Sequence, residues 1–195
     1  MQVMSRSFAA KLRWAAALAV LLASPGAGAS ADDSVWQALR EPGAVVVLRH
    51  SFAPGSFDSP DARLDDCSTQ RNLDESGRAQ ARRIGEAFRQ HGIAVGAVLS
   101  SPRCRCLDTA RLAFGKVEAW EMLQGALNDA ERRRLQLDDM RRRIAAYWDS
   151  PPLVLVTHGS VATDLTGRSI RMGELVVLRR GADGSHAVAG ALYID

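Results

Sequence analysis

The chain has 195 residues, 47% of them hydrophobic and 24% charged, which suits one ordinary domain and is too apolar for a disordered chain. The formal charge of +3 comes from Arg6, Lys11 and Arg13, ahead of the first acid at Asp32, so the remainder is neutral. A nucleic-acid binder needs surplus positive charge to release counterions, and that class is disfavoured. Lysine occurs only at 11 and 116; an arginine bias of this kind follows from genomic base composition.

The three N-terminal basic residues precede an apolar run, Trp14 to Ala23, then Ser24, Pro25 and small residues to Ala31. That is the pattern of a secretory signal, with Ala27-Gly28-Ala29 and Ala29-Ser30-Ala31 both fitting its cleavage site. A run of about ten residues is too short to span a bilayer, which takes about 20. Residues 1–31 are thus expected to be a signal peptide and 32–195 a single domain, periplasmic or secreted, without stable membrane insertion. Export places Cys67, Cys104 and Cys106 in an oxidising compartment. An odd count permits one bridge and one spare thiol. Cys104 and Cys106 diverge by about 200° on a helix, so Cys67 is expected to pair with one of them. No further ligands stand at zinc-like spacing, and no metal is expected.

In chain order, Ser34 is placed to cap a short helix to Arg40, closed by Pro42-Gly43. Ala44–Leu48 is a continuous apolar run, read as a strand buried on both faces. Residues 51–72 carry repeated turn chemistry and form a long loop of the kind that is usually functional. Asp74 caps a helix with the stripe Gly77, Ala81, Ile84 and Phe88, ending at Gly92. Val95–Leu99 reads as a second strand, and Ser101-Pro102 as the start of a helix to Phe114. A third strand is expected near Val117–Trp120. Asn128 and Glu131 suggest a capping box for a helix to Trp148, stopped by Pro151-Pro152. Leu153–Val156 is a fourth strand, followed by a short helix to Thr166. Glu174–Leu178 and Ala187–Ile194 close the chain as strands. The alternation indicates a three-layer α/β/α fold with a mainly parallel sheet.

Ligands in such folds bind at the carboxyl ends of the strands. Three of those ends carry unusual residues: Leu48-Arg49-His50, Ser100-Ser101-Pro102-Arg103-Cys104-Arg105 and Thr157-His158-Gly159. Arginine forks bind phosphoryl oxygens and a neutral imidazole can attack phosphorus, so the set points to phosphate chemistry. His91 and His186 read as structural. So do Trp36, Trp120 and Trp148, and the Arg132–Arg134 and Arg141–Arg143 runs read as a solvated helix face.

The Leu48-Arg49-His50 triplet, the Ser100-Ser101-x-x-x-Arg105-x-x-x-Thr109-Ala110 string and Val156-Thr157-His158-Gly159 resemble the histidine phosphatase superfamily, in its phosphoglycerate-mutase-like branch. Arg71-Asn72-Leu73-Asp74-Glu75-Ser76-Gly77 resembles that family's R-x-L-T-x-x-G string. The resemblance spans about residues 44–180 and implies a phosphoglycerate-mutase-like fold acting without a cofactor. It implies that His50 is the phosphorylated nucleophile and that Arg49 and Arg105 are phosphate clamps. His158 would then stabilise the phosphoryl group in flight, and the Gly159 backbone N–H could assist. Arg103 competes with Arg105 locally, and Arg71 either binds substrate or pairs with nearby acids.

Two departures matter. Ser51 stands where the family's R-H-G has glycine, and Leu123-Gln124-Gly125 lacks the acid many members carry there. Glu121 is the nearest substitute proton donor, with Asp129 and Asp66 behind it. The expected activity is hydrolysis of phosphomonoesters, with small-molecule or glycan substrates. Resemblance to the lipopolysaccharide-core heptose-phosphate phosphatases points to an envelope sugar phosphate. The competing readings are an idle anion-binding protein of the same fold and a phosphohistidine-protein phosphatase; a mutase would need a lid that this short chain has little to build.

Overall fold

The computed structural model describes residues 30–125, 128–148 and 150–195, so all but the last two residues of the expected signal segment lie outside the described residues. The elements run α1 (Ala31–Ala38), β1 (Val45–Arg49), α2 (Glu75–Gln90), β2 (Val98–Ser100), α3 (Cys104–Phe114), β3 (Glu118–Ala119), α4 (Ala130–Ala145), β4 (Leu153–Thr157), α5 (Gly159–Thr166), β5 (Glu174–Arg180) and β6 (His186–Tyr193). Short 3₁₀ turns lie at Cys67–Thr69 and Glu121–Leu123.

The strands form one sheet in the order β3-β2-β4-β1-β5-β6. The first four are parallel, and β5 and β6 join antiparallel. Alternate residues of each strand face opposite sides, and both sides are covered. Val46, Leu48, Val154 and Val156 pack under α1, α2 and α3 through Leu39, Ile84, Phe88 and Ala110. Val45, Val47, Leu153 and Leu155 pack under α4 and α5 through Met140, Ile144 and Val161. This is why β1 and β4 read as unbroken apolar runs. The fold is the expected three-layer α/β/α arrangement with a mainly parallel sheet.

The chain leaves β1 toward α2 on one face and leaves β4 toward α5 on the other, although β1 and β4 are neighbours. Their carboxyl ends therefore flank a crevice where strand connections diverge, the usual ligand position in open α/β sheets.

Several helix starts differ from the sequence expectation. Ser30, not Ser34, caps α1, because Ser30 and Asp33 satisfy each other's backbone N–H groups in a capping box. Asp129, not Asn128, caps α4 by accepting from the Arg132 N–H at 2.8 Å. The N-cap of α3 is Arg103; the Ser101 hydroxyl, 2.9 Å from His158 Nε2, accepts from the Arg103 N–H at 3.3 Å, just outside the helix. Trp148 is exposed rather than packed, since α4 ends at Ala145. Gly77 and Gly85 of α2 are close-approach positions. A Cβ there would lie 1.9 Å from the Phe52 carbonyl and 2.0 Å from the Ala113 carbonyl, so only glycine lets α2 sit against the long loop and α3.

That loop is fastened at its far end. A disulfide joins Cys67 to Cys104 at the first turn of α3, and Cys106 is a buried free thiol. Beside it, the Gln70 side chain accepts from the Cys104 N–H at 3.0 Å and donates to the Arg63 carbonyl at 2.7 Å. A bridge across 37 residues stabilises by roughly 3–4 kcal/mol through the unfolded chain's lost entropy. Reduction, or Cys67→Ser with Cys104→Ser, is expected to lower the unfolding free energy by about that amount; an unchanged denaturation midpoint would contradict this.

Candidate active site

The β1–β4 register pairs Arg49 with Thr157, so the next residues, His50 and His158, stand side by side. The His50 N–H donates to the Thr157 carbonyl at 3.0 Å, and the two rings are 5.5 Å apart. Both side chains are buried. His50 Nδ1 lies 2.8 Å from the Ser51 carbonyl. A carbonyl only accepts, so Nδ1 carries the proton and Nε2 the lone pair. His158 has the opposite tautomer. Its Nδ1 faces Arg105 Nη2 at 3.4 Å, a group that only donates, so its Nε2–H donates to the Ser101 hydroxyl at 2.9 Å.

Three arginines surround His50 in a common pattern. Arg49 Nη1 donates to the Ile170 carbonyl at 3.0 Å. Arg71 Nη1 donates to the Ala53 and Gly55 carbonyls at 2.6 and 3.1 Å. Arg105 Nη1 reaches the Asp58 carboxylate at 2.9 Å and the Arg71 carbonyl at 3.3 Å. In each the buried Nε has no hydrogen-bond partner among the described residues. A guanidinium's Nε–H lies on the same edge as Nη2, the edge that forms a two-point fork with an oxyanion. Each arginine is thus tied down at one corner while its fork edge has an unpaired donor. Arg71 Nη2 is also 3.5 Å from His50 Nε2, which sets that fork beside the lone pair. A buried unpaired donor costs about 1–3 kcal/mol, so an anion with several acceptor oxygens suits all three at once. Gly159, the first residue of α5, clears the space for Arg49: a Cβ there would be 3.3 Å from its Cζ.

Arg49, His50, Arg71, Arg103, Arg105, Glu121, His158 and Gly159, all singled out in the sequence, line one cavity of about 750 Å³. Glu121 is exposed at the start of its 3₁₀ turn. The turn is held from below by the Thr157 hydroxyl, which donates to the Leu123 carbonyl at 2.7 Å, and by Gln136, which donates to the Met122 carbonyl at 2.8 Å. The other acids considered as proton donors serve elsewhere. Asp129 caps α4, and Asp66 caps the Cys67–Thr69 turn and pairs with Arg63. Ser51 is buried, and its N–H donates to Thr109 Oγ1 at 3.0 Å. His91 stacks on Trp36, and His186 faces the Gly43 carbonyl.

Sequence reasoning missed two features. The cavity's second wall, Gln124, Arg132 and Gln136, comes from α4 and the turn before it, although in the sequence Arg132 reads only as part of a solvated helix face. The other is Asp58, whose position before Ser59-Pro60 reads only as turn chemistry. It is nonetheless the carboxylate paired with Arg105 and Arg103, at 2.9 and 3.5 Å.

Burial, more than the neighbouring charges, sets the state of the histidines. Burial holds His50 at about 3; the Ser51 carbonyl opposes this, and Arg105, Arg71 and Arg49 add to it. Burial, then Arg105, holds His158 at about 2. Both rings are neutral across the physiological range. Burial pushes the Cys106 thiol up to about 12, so it is not a nucleophile. The unfolded chain binds a proton on each imidazole below about pH 6.5, whereas the folded protein does not until about pH 3. Stability is therefore expected to fall as pH drops from 6.5 toward 3, by up to about 1.4 kcal/mol per unit for each histidine. Urea unfolding of wild type, His50→Gln and His158→Gln checks this: each variant should show a shallower decline, and parallel declines would refute it.

The histidine phosphatase superfamily (branch 1) family model matches residues 61–189. No curated protein sequence matches significantly. Among solved structures, the chain is similar to the protein histidine phosphatase SixA complexed with tungstate, at 14% identity, TM-score 0.55 and coverage of 77% of this chain and 96% of that one. It is similar to an alpha-ribazole-5′-P phosphatase candidate from Escherichia coli at 15% identity, TM-score 0.58 and coverage of 78% and 98%. It is also similar to Bacillus stearothermophilus YhfR at 15% identity, TM-score 0.57 and coverage of 75% and 95%. At these identities the likeness concerns the fold, while the family match covers most of the chain: the protein belongs to branch 1 of the histidine phosphatase superfamily.

Proposed function

We propose that the protein is an exported phosphatase that hydrolyses phosphomonoesters through a phosphohistidine at His50. The observation that carries this is the His50 Nε2 lone pair, fixed by the Ser51 carbonyl and set among the fork edges of Arg49, Arg71 and Arg105. In the first step Nε2 bonds to phosphorus and the ester P–O bond breaks, the leaving oxygen taking a proton. In the second, water attacks phosphorus, the N–P bond breaks, and phosphate leaves with His50 neutral again. Phosphoryl transfer needs positioning and neutralisation of the equatorial oxygens, which arginines supply. His158, with its N–H committed to Ser101, lends a neutral polar wall and supports Arg105. Glu121 is our candidate for protonating the leaving oxygen.

Export rests on the basic and apolar pattern of residues 6–31, and the Cys67–Cys104 disulfide suits an oxidising compartment. Among the described residues no helix is long and apolar enough to cross a membrane. The cavity exceeds the needs of a bare phosphate, and Ser56, Glu121, Gln124, Arg132 and Gln136 give it a polar wall. That wall supports a sugar phosphate of the cell envelope as the substrate class.

Labelled substrate is expected to leave an acid-labile, alkali-stable adduct on wild type purified from the periplasm and none on His50→Ala; its absence from wild type removes the mechanism. In a substrate panel, sugar phosphates should be cleaved more efficiently than nucleotides or phosphohistidine proteins. Glu121→Gln should lose about 10²–10⁴-fold on these alkyl esters and little on p-nitrophenyl phosphate, whose leaving group needs no proton. Equal effects on both would exclude Glu121 as the donor.

A further inference from the structure

Asp58 lies in the loop between β1 and α2, on the wall of the cavity, with a side chain only 15% exposed. One carboxylate oxygen accepts from the Arg71 backbone N–H at 2.8 Å and from Arg105 Nη1 at 2.9 Å. The other is 3.1 Å from the same Nη1 and 3.5 Å from Arg103 Nη1. Arg49, Arg71, Arg103 and Arg105 thus share one region of the cavity wall with Asp58, and Arg132 lines the same cavity.

We propose that Asp58 is a positioning residue of the phosphoryl clamp: it holds the Nη1 corner of Arg105 so that the Nε–Nη2 edge addresses the phosphoryl group bound at His50. This deepens the phosphatase reading and rests on it. The corner Asp58 holds is the one that also meets the Arg71 carbonyl, whereas Nε has no partner among the described residues and Nη2 points to His158. A carboxylate competing with substrate would sit on the Nε–Nη2 edge instead. Nor is Asp58 arranged to give up a proton. Burial alone would raise its pKa, but the Arg71 N–H, Arg105 and Arg103 outweigh it and keep the group ionised. Asp58 also reduces the mutual repulsion of Arg103 and Arg105, letting both face one cavity. The Cys67–Cys104 bridge and the Gln70 contact with Cys104 fasten this loop to the helix that carries Arg105, so carboxylate and guanidinium meet in a fixed frame.

The test uses Asp58→Ala and Asp58→Asn in the mature protein, with thermal midpoints as the folding control. Inorganic phosphate affinity is measured by calorimetry, and kcat and KM on p-nitrophenyl phosphate and on an alkyl phosphate. Asp58→Ala should weaken phosphate binding about tenfold or more and lower kcat/KM by a similar factor on both substrates, since one charge-assisted contact fixes the clamp. Asp58→Asn keeps an acceptor oxygen and should fall between the two; if the alanine variant does not fold, the asparagine variant decides. Unchanged phosphate affinity overturns the proposal, tighter phosphate binding identifies a competing carboxylate instead, and a loss confined to the alkyl ester identifies a proton donor. Phosphate binding is read without turnover. A wild type that binds phosphate but hydrolyses neither ester would therefore defeat the phosphatase reading while leaving the Asp58 comparison decisive.

Discussion

Everything at the site depends on keeping several guanidinium groups close together and largely out of water. Burying a charge without compensation costs several kcal/mol, and like charges repel at these separations. The protein meets this mainly with backbone dipoles. The Ile170, Ala53, Gly55 and Arg71 carbonyls accept from the three clamp arginines, and Asp58 is the carboxylate added at Arg105 and Arg103. Carbonyls hold a guanidinium without cancelling its charge, so the cavity remains strongly attractive to an anion. A cluster built from arginine–carboxylate pairs would be easier to bury and nearly inert toward phosphate.

Such a site has to be held by structure elsewhere. The apolar residues of β1 and β4 supply it, buried under helices on both faces. Their parallel register fixes where the two histidines emerge, to within one peptide. The loop after β1 has no ladder to fix it and is held by side chains and the disulfide. The two supports have different origins: the strands are positioned by burial, the loop by covalent and polar anchors.

That division explains which parts of the site were legible in the sequence. Arg49, His50 and His158 end unbroken apolar runs, and where such a run stops, the polar residue that follows is at a strand end. Arg105 was legible through its spacing to Thr109, whose hydroxyl donates to the Arg105 carbonyl and accepts from the Ser51 N–H. Asp58 was not. Nothing periodic relates it to Arg105, 47 residues away, and an acid beside Ser-Pro is ordinary turn chemistry. Helix caps failed for a related reason. Ser30, Ser34, Asn128 and Asp129 are all competent caps, and the choice within each pair depends on where the helix must begin to bury its stripe.

The two neutral histidines are both buried, yet they do not offer the same atom to the cavity. Each imidazole has one proton and one lone pair, and the neighbours decide which nitrogen offers which. At His50 the proton is spent on the Ser51 carbonyl next along the chain, and Nε2 keeps its lone pair beside Arg71. At His158 the lone pair is spent on Arg105 and the proton on Ser101. Exchanging those partners would exchange the roles of the rings without moving either one. The assignment of His50 as nucleophile thus rests less on its being a histidine at a strand end, which His158 also is, than on the carbonyl that holds its other nitrogen.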